Sequence, residues 1–149
     1  AFLKRRSQVR VLPGAFMEAT TIFLVAFGGG IGAVLRYFIA NVGQSFTSTS
    51  FPLGTLIVNI LGCALIGLIS AMLIGPLAQH REMLRLFLIV GILGGFTTYS
   101  SFALDSIELF DGGRIGQAVL YIVLSNTIGL FGAWGCYRLG SVIFITTQS

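Results

Sequence analysis

Charge is what this chain lacks most: only 9% of its 149 residues are Asp, Glu, Lys or Arg, against roughly 25% in an average soluble domain. With 55% hydrophobic residues and a mean hydropathy of +0.93, the composition excludes a soluble enzyme and reads as one small integral membrane domain. There are two cysteines, one histidine and three prolines. Cys63 and Cys136 lie within apolar stretches with small neighbours and without metal-ligand spacing, so they read as buried thiols. His80 stands beside Arg81 with no partner residue to make a metal site or a proton relay, and it receives no role. No Ser/His or paired-Asp arrangement lies inside an apolar segment, so the chain does not read as an enzyme. No Walker motif and no embedded carboxylate ring points to a pump.

What is present fits four crossings of roughly 20 residues each. Hydropathy places them at about 20–40, 51–74, 84–104 and 115–138. Turn chemistry supports the ends: 41–50 is polar and rich in Ser and Thr, Gly75-Pro76 stops the second span, and Asp111-Gly112-Gly113 stops the third. Residues 1–16 carry Lys4, Arg5, Arg6 and Arg10 and read as a disordered basic leader or extension, with Met17 where a natural start would fall. Residues 17–149 then form a single four-helix domain. The net charge of +4 belongs to the leader, because the other five basic residues (Arg36, Arg81, Arg85, Arg114, Arg138) balance five acids (Glu18, Glu82, Asp105, Glu108, Asp111). Across an even number of spans that leaves a three-to-two split of arginines, too even to fix orientation, and a chain so balanced can insert both ways and pair antiparallel.

Polar residues inside spans are costly in lipid and therefore face protein or water. Gly28, Gly32 and Arg36 recur every four residues and share one face of the first helix. The glycines allow close helix approach, and Arg36 near the span's end either snorkels to the headgroups or sets a fixed positive charge at the mouth of an anion path. In the second span Gly54, Thr55, Asn59, Gly62, Cys63, Gly67 and Ser70 form one stripe that must face protein. The Asn59 amide either ties helices together or donates to an anion. The fourth span carries Tyr121, Ser125, Gly129, Gly132 and Cys136 as a narrow hydroxyl-bearing groove, although a serine there also has its own i−4 carbonyl to bond.

The third span holds the run G-G-F-T-T-Y-S-S-F, Gly94 to Phe102, an odd sequence to place in a membrane. Irregular backbone at that depth survives only inside protein or along a water-filled path. The glycines are expected to break the helix and release carbonyls able to ligate a small hard cation such as Na⁺. Beyond them Tyr99 and Phe102 share a face, with electropositive ring edges that can stabilise an anion without trapping it.

The ordered motifs G-G-G-I-G-A-V-L-R-Y (Gly28 to Tyr37), P-L-G-T-L-I-V-N-I-L-G (Pro52 to Gly62) and G-G-F-T-T-Y-S-S-F, followed by D-G-G-R-I-G (Asp111 to Gly116), resemble the bacterial fluoride channels of the Fluc family, also known as CrcB. The resemblance runs from about Met17 to Arg138. It implies an all-α fold of four transmembrane helices with a broken third helix, assembled as an antiparallel dual-topology homodimer in the lipid of the cell inner membrane. Two pores would lie at the interface and one structural Na⁺ at the centre, held by the backbone carbonyls of Gly94 and Thr97. The implied activity is passive, fluoride-selective efflux that confers fluoride resistance, with no nucleic-acid partner. Pore residues would be Asn59, Thr98, Tyr99, Phe102, Tyr121 and Ser125, with Arg36 in the vestibule and Asp105 in place of an acid common in the family. Tyr99 departs from the family's usual Phe and Ser101 from its usual Thr, and Gly129 lacks a hydroxyl found in some relatives. The competing readings are a small dual-topology multidrug exporter, which should carry a glutamate inside its first span, where Glu18 instead precedes it, and a non-transporting membrane assembly subunit.

Overall fold

The computed structural model describes residues 19–146. The basic leader, Met17 and Glu18 lie outside them. Four helical segments are long and apolar enough to cross a membrane. The first is α1 (Ala19–Ser45) and the second α2 (Leu53–Ile74). The third crossing begins with a short 3₁₀ turn at Ala78–His80 and α3 (Arg81–Leu84), widens to a π-helix over Arg85–Leu93, and returns to α geometry in α4 (Gly94–Phe96). After two extended residues it resumes as α5 (Tyr99–Asp111). The last crossing is α6 (Ile115–Thr146). The chain is thus a membrane domain with one interrupted span.

Three helices run further than hydropathy alone locates them. α1 continues to Ser45, through residues expected as connector, and α5 and α6 reach Asp111 and Thr146. Polar side chains sustain the extra turns of α1: Asn41 Nδ2 donates to Tyr37 C=O and Ser45 Oγ to Val42 C=O. Gln44 then fastens the connector, donating to the carbonyls of Thr49 and Phe51 while its Oε1 accepts from Gly54 N–H. Hydropathy finds the hydrocarbon-crossing part, whereas a helix ends where its backbone finds other partners. Gly113, at φ 72°, makes the left-handed turn after α5 that a side chain would strain.

Glycines set how closely the spans pack. Gly28 and Gly32 are buried on α1 against the π-helical stretch. A Cβ at Gly28 would stand 2.7 Å from the Phe87 carbonyl oxygen, and one at Gly32 would overlap the Ile92 carbonyl. Both obstacles are backbone and cannot rotate away. We therefore expect Gly32→Ala to cost about 1–3 kcal/mol of overpacking, read as a lowered thermal midpoint in detergent. Gly30→Ala, with open space around its Cβ, should leave that midpoint unchanged or slightly raised.

The interior divides into two clusters on either side of the interruption. Leu56, Leu109, Ala118 and Tyr121 form one, with Phe51, Phe102 and Leu124 packed against it. Val58, Leu93 and Phe96 form the other, with Ile39 and Ile69. Asn59 follows Val58 on α2, at the level of the broken span. Outward faces carry large apolar side chains such as Phe23, Val34, Phe38, Leu130 and Trp134, as expected where the surrounding solvent is lipid.

Candidate functional site: a polar groove at the interrupted span

The third span does not break at its glycines. Gly94 and Gly95 are helical, and the backbone turns extended at Thr97 (φ −78°, ψ 154°) and Thr98 (φ −147°, ψ 108°). Gly95 serves close approach instead, since a Cβ there would overlap the Gly29 carbonyl of α1. What interrupts the ladder is a side chain from another helix. Asn59 Oδ1 accepts the Thr98 N–H at 2.9 Å, and Asn59 Nδ2 donates to the Thr98 C=O at 3.1 Å. That N–H would close on the Gly94 carbonyl in a continuous helix; its diversion takes away the carbonyl's i+4 donor. The amide of Asn59 supplies the partners that hydrocarbon cannot.

The second half-helix starts on a threonine cap. Thr98 Oγ1 accepts from Ser101 N–H at 3.1 Å and donates to Ser101 Oγ at 3.0 Å. This is the ordinary N-cap chemistry of a Ser or Thr, a signal that T-Y-S-S carries and the reading of the glycines as the break passes over. Thr97 ends the first half by donating its hydroxyl to the Leu93 carbonyl at 3.0 Å. Both threonine hydroxyls are therefore engaged locally.

Around the interruption lies a groove of about 350 Å³ with walls from α2, both halves of the third span and α6. Of the residues singled out from sequence, it brings together Asn59, Gly94, Thr97, Thr98, Tyr99, Phe102 and Ser125. It carries no charged side chain. Asn59 keeps one N–H beyond its bond to Thr98. Ser125 Oγ is buried yet has no hydrogen-bond partner among the described residues, in contrast to Ser106 and Ser141, which donate to carbonyls four residues back. Ser125 is also a residue of the groove wall.

Tyr121 and Arg36 do not line the groove. Tyr121 is fully buried, and its hydroxyl donates to Asp105 Oδ2 at 3.1 Å, so it stands behind the groove rather than in its wall. Arg36 is half-buried on α1, outside the groove. Tyr121 has a different part: its ring lies 5.3 Å from Phe102 and meets Phe51 edge-on at 5.7 Å. Phe102 in turn lies 5.4 Å from Tyr99. Phe102 is thus held between two rings, while Tyr99 is 80% exposed. Phe51 and the groove residues Gly62, Cys63 and Asn126 were not among the expected site residues. Only the packing of α2 against α6 reveals them; Cys63, for instance, faces Gly129, where a Cβ would lie 3.2 Å from its sulfur.

Residues of three kinds line this groove: Asn59 and Ser125 with neutral donors, the aromatic Tyr99 and Phe102, and Gly94, Thr97 and Thr98 of the break. Neutral donors and edges suit a small anion, and oxygen carbonyls suit a hard cation.

Comparison with known proteins agrees in extent and in kind. The family described as CrcB-like protein, Camphor Resistance (CrcB), matches residues 23–137. A fluoride-specific ion channel FluC from Agrobacterium fabrum is 43% identical over 123 residues, which cover 83% of this chain and 98% of that protein. One from Thermus thermophilus is 46% identical over 121 residues, covering 80% and 94%. A third, from Ruminiclostridium cellulolyticum, is 44% identical over 115 residues, covering 77% and 88%. With its interrupted third span inside a match of that length, the chain belongs to the CrcB family.

Proposed function

We propose that this protein is a fluoride-selective channel that lets F⁻ leave the cell passively and so confers fluoride resistance. It is a multi-pass protein of the inner membrane and not an enzyme. The observation that carries the reading is the groove itself, a neutral cavity lined by Asn59, by the rings of Tyr99 and Phe102 and by Ser125, whose hydroxyl has no hydrogen-bond partner among the described residues. Fluoride is small and accepts strong hydrogen bonds, so fixed neutral donors can replace part of its hydration without the full charge that would hold it. Chloride is larger and accepts weaker bonds. At mildly acidic external pH, HF enters by crossing the lipid and dissociates inside, and a selective leak then suffices for export without coupling to ATP or protons.

The family relationship, together with the nearly even arginine split, supports an antiparallel homodimer inserted in both orientations. In that assembly the exposed lip formed by Gly94, Tyr99 and Ser100 is covered by a second copy rather than lipid. A central Na⁺ fits the chemistry of the break. Thr98 N–H is turned away to Asn59, leaving the Gly94 carbonyl without that donor, and Thr97 sits beside it in the same groove. These two carbonyls would hold the ion, which supplies fixed positive charge at the join between subunits.

Purified protein in liposomes, followed with a fluoride electrode, tests the reading. We expect F⁻ efflux at least about a hundredfold faster than Cl⁻, a difference of roughly 3 kcal/mol in barrier height, in the absence of ATP or a proton gradient. Comparable chloride flux would refute selectivity. Absence of any flux from a well-folded dimer would instead leave a non-transporting assembly subunit. A proton-coupled drug exporter needs an acid in its first span, and α1 contains none.

A further inference from the structure

Two asparagines on the membrane helices bond their own backbone in the same way. Asn41 Nδ2 donates to Tyr37 C=O and Asn126 Nδ2 to Ile122 C=O, both at 2.7 Å and both on exposed side chains. Their depths differ. Asn41 lies about one turn from the end of α1, where headgroups and water can complete the amide. Asn126 lies roughly a third of the way along α6, among the exposed Val123, Ile128 and Leu130, where hydrocarbon supplies no partner. The bond to Ile122 uses one of the amide's two N–H groups and leaves the other, with the carbonyl oxygen, unsatisfied among the described residues. Such a residue in a membrane helix faces protein or a water-filled path.

The structure shows which path is at hand. Asn126 lines the groove next to Ser125 on the α6 wall, while Asn59 occupies the α2 wall. We propose that Asn126 is a third donor of the anion path and a determinant of its selectivity. Its remaining N–H donates to fluoride as the ion passes α6, adding to the Asn59 amide and the Ser125 hydroxyl. Its carbonyl oxygen accepts from the water that accompanies the ion. Each neutral donor favours the anion that accepts the stronger hydrogen bond, so a third one widens the gap between fluoride and chloride. This rests on the channel reading above. The residue escapes a sequence search because it stands one position off the stripe of small and hydroxyl residues on its own helix.

The test compares Asn126→Leu, Asn126→Asp and Asn41→Leu with the parent in liposomes, using F⁻ and Cl⁻ efflux, together with particle mass in detergent. We expect Asn126→Leu to slow fluoride about tenfold, as loss of one hydrogen bond implies, and to narrow the F⁻ to Cl⁻ ratio. Asn126→Asp should slow it further, Asn41→Leu should match the parent, and all should keep the parent's mass. Should Asn126→Leu resist reconstitution, Asn126→Ala carries the same expectation. Parent-like rate and selectivity in the Asn126 variants overturn the inference alone, since the parent still conducts. A particle of half the mass also overturns it, because Asn126 then holds the subunits together. A parent that passes no fluoride overturns both this inference and the channel reading.

Discussion

Asn59→Asp should abolish fluoride flux, lowering it by about two orders of magnitude or more in the liposome assay, while the protein still purifies as a folded assembly. The substitution exchanges a single heavy atom, the amide nitrogen for a carboxylate oxygen. An aspartate can still accept the Thr98 N–H, as Asn59 Oδ1 does at 2.9 Å. Its second oxygen, however, would face the Thr98 carbonyl that Asn59 Nδ2 now serves at 3.1 Å, oxygen against oxygen. The carbonyl at the break loses its donor, at a cost of about 1–3 kcal/mol for an unsatisfied buried group. The N–H left over from the bond to Thr98, which the proposed reading gives to the anion, disappears, and a negative charge enters a groove lined by no charged side chain. All three effects oppose F⁻. An Asn59→Asp protein that assembles and conducts like the parent would show that Asn59 only braces the break and has no part in conduction.

The aromatic pair separates ring-edge chemistry from hydroxyl chemistry. Tyr99 is 80% exposed in the single chain, and no hydrogen bond joins its hydroxyl to another described residue, so Tyr99→Phe removes a donor without disturbing packing. If the edge serves the anion, that variant keeps or raises the flux. Phe102→Ile is different. Its ring sits 5.4 Å from Tyr99 and 5.3 Å from Tyr121, and an isoleucine gives up both ring contacts and the electropositive edge. Losing an anion–edge contact of about the strength of an aromatic pair, roughly 0.5–1.5 kcal/mol, should lower flux by roughly twofold to tenfold. A dead Tyr99→Phe channel beside a working Phe102→Ile channel would mean that fluoride moves along hydroxyls here.

Other members of the groove bear on which substitutions are informative. The Thr98 hydroxyl is committed to Ser101 and that of Tyr121 to Asp105. Their removal acts first on the start of α5 and on the ring stack behind Phe102, and only through these on an ion. Ser125 has no such commitment. It is the hydroxyl whose loss reports most directly on a donor in the path.

Much of this protein is legible in its residues. Composition and hydropathy determine four apolar crossings, because backbone groups in hydrocarbon leave helix as the economical spanning form for a chain of this pattern. Small residues at four-residue spacing determine which faces pack: Gly28 and Gly32 meet the third span, and Gly67 meets the Ala133 carbonyl of α6, as a helical period requires. The polarity of Asn59 and the odd composition of residues 94–102 mark where irregular backbone must lie. The stop at Asp111-Gly112-Gly113 follows from the left-handed turn that Gly113 makes.

Tertiary structure decided where the break falls and what its parts are free to do. Two glycines in a row suggest a hinge because local propensity is all that a sequence window contains. Here the missing side chain of Gly95 is used for contact with Gly29 across the helix interface, and the hinge moves three residues on. It moves because Asn59, thirty-nine positions earlier, offers Thr98 a donor and an acceptor together. No window around residues 94–102 includes that amide. The same reason separates Ser125, whose hydroxyl is unspent, from Tyr121, whose hydroxyl is not. Residue type says which groups can donate, and only the folded neighbourhood says which have already done so.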